Sequence, residues 1–177
     1  MVSERLSELA QLTGMQPAAP QTDWQSIQSA LGFAVPPDYT ELIDNFGAGM
    51  FNYYLYVFGP DERTPVSLRN DGLYWDEEFK SKWALHPENV PPPLQGRDVT
   101  VIHWGETEDA VHLFWIAEAG TLPAQWQVAA YTGEGRKWEF FEQSSVEVLL
   151  SYFRRDLASS LLPLFDEGDQ IAFTPFT

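Results

Sequence analysis

Apolar side chains recur at helical spacing in the first half of the chain. Within residues 37–46 they follow the i, i+3, i+4, i+7 pattern of one buried helix face. Pro37 suits the first helical position, where its missing N–H would be unpaired anyway, and Gly47 ends the segment. Comparable patterns predict helices over residues 4–13, 22–31, 71–85 and 144–157.

The second half of the chain changes to a strand pattern. Runs rich in aromatic and β-branched residues, bounded by turn residues, predict strands over 50–58, 99–105, 110–116, 126–132 and 137–142. Helices therefore come first, strands follow, and a helix closes the chain. This order predicts an α+β fold rather than an α/β fold with parallel crossovers.

Composition narrows the class of protein. The chain has 177 residues, of which 44% are hydrophobic and 15% aromatic, enough for one domain with a substantial core. The chain has no cysteine, which excludes disulfides, thiolate metal ligands and a cysteine nucleophile. No apolar run is long enough for a signal peptide or a membrane span, so we expect a cytoplasmic protein that does not insert into membranes.

The net charge of −16 bears on possible partners. Nucleic acid and anionic membranes should repel so acidic a chain, whereas a basic protein should attract it. Acidity also maintains solubility, and charge alone does not separate the two interpretations.

The predicted hairpin over residues 99–116 contains two histidines. If its turn centres on Thr107 and Glu108, His103 faces His112 directly across the strands. The opposite face of the hairpin is then apolar, and we expect it in the core; its members are Ile102, Trp104, Leu113 and Trp115.

Two imidazoles on one sheet face are potential metal ligands, with Glu106 or Asp109 as a third. A slip of one residue in the pairing would separate His103 from His112. Ordinary, partly buried histidines are the simpler interpretation, so we predict no metal site and no cofactor.

Several acidic clusters lie in the predicted turns and within the predicted helix over 71–85. Paired carboxylates perform acid–base chemistry only where burial separates their pKa values, and we expect water to solvate these groups. The sequence has neither a P-loop nor a G-x-S-x-G motif. We therefore predict that the chain is not an enzyme, and that the clusters suit the binding of a basic protein better than catalysis.

The order of motifs resembles that of the SUKH superfamily. The stretches that carry the resemblance are "DWQSIQSALG", "VPPDYTELIDNFGAGMF" and "YYLYVFGP", followed by "VTVIHWGETEDAVHLFWI", "WQVAAYT" and "KWEFFE". The shared positions are typical of structural residues, which lie in the core or at the beginning or end of a helix. They include Trp24, Gly32, Pro36, Tyr39, Gly47 and Gly49.

The resemblance implies a single SUKH-like α+β domain with a mixed or antiparallel sheet of about five to six strands flanked by helices. It covers residues 22–157. Residues 1–21 are then an N-terminal helix and linker, and residues 158–177 an extension docked on the domain. Many bacterial members are implied to be immunity proteins, and no catalytic residues come with the family.

We therefore expect a cytoplasmic immunity protein that occludes a bacterial toxin. The expected partner is a nuclease or another nucleic-acid-targeting toxin with a basic surface. The alternatives are a general interaction scaffold of the SUKH type and a metal-binding protein built around His103 and His112. The expected contact residues are acidic and aromatic: Asp76, Glu77, Glu78, Glu106, Glu108, Asp109, Tyr53, Tyr54 and Tyr74.

Overall fold

A computed structural model describes residues 1–18 and 22–177 of the chain. Within these residues the helices are α1 (Glu4–Thr13), α2 (Trp24–Leu31), α3 (Pro37–Phe46), α4 (Leu68–Asp71), α5 (Tyr74–Leu85) and α6 (Ser145–Phe153). The strands are β1 (Gly49–Phe51), β2 (Leu55–Val57), β3 (Val99–Thr107), β4 (Val111–Glu118), β5 (Gln127–Thr132), β6 (Lys137–Phe141) and β7 (Phe173–Pro175).

The strands form one antiparallel sheet of seven strands in the order β6-β5-β4-β3-β2-β1-β7. The predicted α+β fold is confirmed, whereas the predicted number of strands is too low. The run over 50–58 is a hairpin, β1–β2, rather than one strand. The C-terminal segment contributes β7, which pairs with β1 at the edge of the sheet.

One face of the sheet carries the main core, formed with α1, α3 and α6 and completed by α2. Tyr39 of α3 is fully buried there, and its hydroxyl donates a 2.6 Å hydrogen bond to the Phe58 carbonyl. Its ring packs edge-on against Trp115 of β4, with ring centroids 5.0 Å apart. Trp24 of α2 packs edge-on against Tyr39 in turn, and its indole donates to Asp44. These contacts fix α2 and α3 against the sheet.

The other positions on which the resemblance depends lie at or near the ends of these helices. Pro36 immediately precedes α3, while Gly32 and Gly47 end α2 and α3 with φ near +79°. Gly49 of β1 lies so close to β7 that a Cβ there would overlap the Thr174 carbonyl oxygen. The motif therefore describes the scaffold of the fold.

The opposite face of the sheet packs against α5 and the segment that follows it. Phe79 of α5 lies among Phe114, Tyr131 and Trp138 of strands β4 to β6, at centroid distances of 5.0–5.9 Å. This second apolar cluster spans β3 to β6. At the other end of the same face, the side chains of β1 and β2 are partly exposed, among them Tyr56.

The segments on either side of residues 22–157 share the main core. Leu6 and Leu9 of α1 are fully buried, and Leu162 and Ile171 of the C-terminal segment are buried in the same cluster. None of the helices in the described part of the chain has the length and apolarity needed to span a membrane.

Candidate functional site

The hairpin of β3 and β4 departs from the expected pairing. Its loop comprises three residues, 108–110, and Ala110 has a φ of +58°. A three-residue loop that ends in a left-handed residue is a common hairpin connection, but Gly normally occupies that position. The two-residue turn at Thr107 and Glu108 is therefore wrong, and Ala110 gives no glycine signal from which the longer loop could be predicted.

The register shifts once more inside β3. His103 pairs with Phe114, but Glu106 pairs with His112, so Trp104 is an extra residue on β3. This is a β-bulge, in which two residues of one strand oppose one residue of its partner. The expected direct pairing of His103 with His112 is therefore wrong.

The bulge nevertheless brings three chemistry-bearing side chains onto one face of the sheet. In a regular strand, residues i and i+3 point to opposite faces, so His103 and Glu106 would be separated. The extra residue turns both toward the α5 side, where His112 also lies. Gly105 permits this path, since a Cβ there would lie 2.9 Å from the Tyr56 carbonyl oxygen. Bulges are over-represented next to active sites.

We call His103, Glu106 and His112 the His–Glu cluster. His103 Nε2 lies 3.3 Å from His112 Nδ1. Glu106 Oε2 lies 3.7 Å from His103 Nε2 and 3.4 Å from His112 Nδ1. The three groups thus converge on one point, with Glu106 in the role that the sequence left open between it and Asp109.

Burial differs across the His–Glu cluster. The side chain of His103 is only 5% exposed, against 12% for His112 and 29% for Glu106. Burial, with the neighbouring His112 ring as a smaller cause, lowers the pKa of His103 to about 3, and a hydrogen bond with the Gly105 backbone opposes this fall. His103 is therefore a neutral imidazole at neutral pH, with a lone pair on one ring nitrogen.

Aromatic rings hold the two imidazoles in place. The ring of His103 packs edge-on against Phe58 at 4.5 Å and lies 5.3 Å from Phe114. Trp75, in the first turn of α5, lies 4.7 Å from the ring of His112. His103 and Glu106 also line a cavity of about 160 Å³ together with Asp71, Tyr74 and Trp75 among others, so the cluster is accessible.

The expected aromatic contact residues fall into two groups. Tyr53 and Tyr74 are 66% and 57% exposed, as an interface anchor requires. Tyr54 instead packs edge-on against Phe165 and donates a 3.0 Å hydrogen bond to Asp109, so both side chains already have a partner within the chain.

The expected acidic contact residues also fall into two groups, those that are buried or ion-paired and those that are exposed. Asp76 is only 7% exposed, and the expectation that water solvates it is wrong. It accepts a 2.8 Å hydrogen bond from the Val101 backbone N–H and pairs with Lys80 at 2.8 Å, thereby tying α5 to β3. Glu78 pairs with Lys82 at 3.5 Å. Glu77 and Glu108 are exposed.

Tyr53 occupies a strained position. Tyr54 N–H donates to the Phe51 carbonyl across a turn whose central residues, Asn52 and Tyr53, both have a φ of +52°. Such turns favour Asn followed by Gly, because positive φ is costly for a residue with a large side chain. The chain thus holds an exposed tyrosine where glycine would be more stable, and strain of this kind concentrates at functional sites.

Comparison of the sequence with family models and curated proteins, and comparison with solved structures, finds no match.

Proposed function

We propose that this chain is a cytoplasmic immunity protein, which binds and occludes a basic, nucleic-acid-targeting toxin. The proposal extends the resemblance to the SUKH superfamily. The observation that carries it is a continuous surface of exposed and partly exposed tyrosines and carboxylates. We call this surface the tyrosine–acid face; it comprises Tyr53, Tyr56, Tyr74, Glu106 and Glu108.

Contacts within the chain make this surface continuous. The Tyr56 hydroxyl donates to the Tyr53 carbonyl at 3.3 Å, and Tyr56 pairs with Glu106 across β2 and β3. Glu106 and Tyr74 line the same cavity. The Glu108 N–H bonds to the Tyr54 carbonyl, which places Glu108 beside the β1–β2 turn. Tyrosines supply the contact area and carboxylates the charge that a basic partner requires.

The distribution of ion pairs supports a basic partner. Eight of the ten Lys and Arg side chains each pair with a different carboxylate, which leaves eighteen of the 26 acidic residues without a Lys or Arg partner in the described part of the chain. Glu77, Glu106, Glu108 and Asp109 belong to these eighteen. The negative field around the tyrosine–acid face is therefore not neutralised locally.

Occlusion by this surface needs no chemical step by the chain. A toxin that acts on nucleic acid presents a basic groove to the phosphate backbone. An acidic protein competes for that groove, and electrostatic steering accelerates its association with the toxin. The tyrosines then hold the complex by burying apolar area at its centre.

The proposal predicts that a neighbouring gene encodes a basic toxin domain. The test is co-expression with that domain, followed by size-exclusion chromatography and a binding titration of the purified pair. We expect wild-type protein to restore growth and to form a complex whose association rate falls with added salt. Absence of both rescue and complex would contradict the proposal, and a chain that captures several unrelated proteins equally well would favour a general scaffold.

Two matched variants identify the surface that binds. The first carries Tyr53→Ala, Tyr74→Ala and Glu108→Lys. The control carries Leu122→Ala, Leu164→Ala and Glu134→Lys, which remove exposed apolar groups and one acid at other positions. We expect the first to bind roughly 100-fold more weakly, as the loss of interface anchors does, and the control to bind like wild type. Equal losses in both variants would overturn the assignment of the surface.

A further inference from the structure

We propose that His103, Glu106 and His112 bind a divalent transition metal of the zinc class, at a site that shares Glu106 with the tyrosine–acid face. Three properties of the His–Glu cluster support metal binding: the distances between the ligand atoms, the chemistry of the ligands, and the rigid structure around them.

The three ligand atoms have the spacing of one face of a metal tetrahedron. Zinc lies about 2.0–2.1 Å from imidazole nitrogen and carboxylate oxygen, so two tetrahedral ligands are about 3.4 Å apart. The three edges of the His–Glu cluster measure 3.3, 3.4 and 3.7 Å. A metal ion therefore fits between the three atoms with only small side-chain adjustments.

The donor set selects the class of metal. Imidazole nitrogens favour zinc and its transition-metal neighbours, whereas magnesium and calcium favour sites made of oxygen alone. The chain supplies no thiolate that could compete. Two histidines and one carboxylate, with a fourth position left for water, are a ligand set of open zinc sites.

The three side chains cannot all satisfy one another by hydrogen bonds. His103 Nε2 faces both His112 Nδ1 and Glu106 Oε2, although a neutral imidazole nitrogen either donates one hydrogen bond or accepts one. If Nε2 accepts from His112, it has no proton for the carboxylate. A cation at the centre satisfies one lone pair from each of the three groups at once.

The site is preorganised by its surroundings. Both histidines lie on the long strands β3 and β4 rather than on loops, and the bulge at Trp104 directs Glu106 toward them. The ring of His103 also packs against Phe58 and Phe114, at centroid distances of 4.5 and 5.3 Å, so its orientation is fixed by neighbouring side chains.

Solvent reaches the cluster on the side of His103 and Glu106. His103 and Glu106 line the cavity of about 160 Å³, which has room for several water molecules. A bound metal would thus carry a water molecule or a small anionic ligand supplied through this cavity. We assign it no reaction.

The test is a zinc titration of the purified full-length chain after dialysis against a chelator. Binding is followed by calorimetry and by competition with a chromophoric zinc indicator. We expect one equivalent to bind with a dissociation constant of about 1 μM or tighter, and a saturating concentration of zinc to raise Tm.

The variants use the third histidine as a matched control. His86 is 61% exposed and contacts Glu88 at 3.2 Å, so His86→Ala removes a surface His–Glu pair with no further ligand. We expect His112→Ala and Glu106→Gln to weaken zinc binding at least tenfold and His86→Ala to leave it unchanged. Circular dichroism of each variant verifies the fold. His103 is not substituted, because it is buried and its replacement would destabilise the core.

Two outcomes would overturn the proposal: zinc binding weaker than about 100 μM by wild type, or equal affinity in wild type and His112→Ala. The Tyr53 and Tyr74 variants should bind zinc like wild type. These variants retain Glu106, the one residue that both proposals use, so the zinc titration and the toxin-binding titration can fail independently.

Discussion

Both faces of the sheet are rich in aromatic side chains, but these side chains differ in their burial and in their role. On the main core face, aromatic side chains are buried and bonded: the Trp115 indole donates to Ser145 at 2.7 Å, and its ring stacks on Trp104 at 5.8 Å. On the α5 face, the row that contains Tyr56, Glu106 and His112 runs from a partly exposed end into an aromatic cluster. The comparison indicates that stability resides mainly on the first face and the candidate functions on the second.

The largest effect should come from the core face. Trp115→Ala removes a fully buried ring and leaves the Ser145 hydroxyl without its hydrogen-bond donor. We therefore expect the free energy of unfolding to fall by about 3–5 kcal/mol. Tyr74→Ala, on the exposed part of the other face, should change it by less than about 0.5 kcal/mol. Urea unfolding measures both, and similar losses in the two variants would refute the comparison.

The next effect concerns the contact between α5 and the sheet. Asp76→Ala leaves the Val101 N–H without its carboxylate acceptor and should cost about 1–3 kcal/mol. The exposed neighbour Glu77 provides the control, because Glu77→Ala removes the same charge type without a buried partner. If both variants unfold at the same urea concentration, Asp76 does not tie α5 to β3.

An alkaline titration examines the core face further. Burial raises the pKa of Tyr39 well above its usual value, and the nearby Asp61 adds to the rise. The stabilising contribution of the protonated phenol is therefore present below the unfolded pKa of about 10 and is lost as pH rises beyond it, by about 1.4 kcal/mol per pH unit.

Tyr39→Phe should cost about 1 kcal/mol near neutral pH, because the bond to the Phe58 carbonyl is lost. Above about pH 10 the difference from wild type should shrink, since the variant has no phenol to ionise at this position. Urea unfolding at several alkaline pH values measures this. A difference that stays constant with pH would contradict burial of the Tyr39 hydroxyl.

The smallest effect should have the opposite sign. Tyr53→Gly relieves the positive φ of the β1–β2 turn, and we expect a gain of about 0.5 kcal/mol after the entropic cost of glycine. The same variant should bind the toxin more weakly. A loss of stability would show that the Tyr53 side chain supports the fold, and unchanged binding would remove it from the interface.

Much of the scaffold was predictable because its signals are local. The first helix has the predicted range, residues 4–13. It begins after Ser3, whose hydroxyl accepts from the Leu6 N–H, and is followed by Gly14 in a left-handed conformation. The apolar side of the hairpin, with Trp104 and Trp115 in the core, follows from alternation alone.

The candidate site was less predictable, since its geometry depends on pairing between strands. Ala110 in its left-handed turn carries no distinctive residue signal, and the bulge at Trp104 is marked only by the glycine that follows it. Each feature changes the register by one residue. The burial of Asp76 depends on where α5 docks, which its own sequence does not specify. Gly105 was the one available signal for the bulge.

The most direct test of the proposed function is amide hydrogen exchange of the chain alone and in complex with the proposed toxin partner. The account predicts slower exchange in the complex over residues 52–56, 72–76 and 106–109, with little change in α1 and α6. Protection confined to α1, α2 or α6, with no change around Tyr53 and Tyr74, would contradict it.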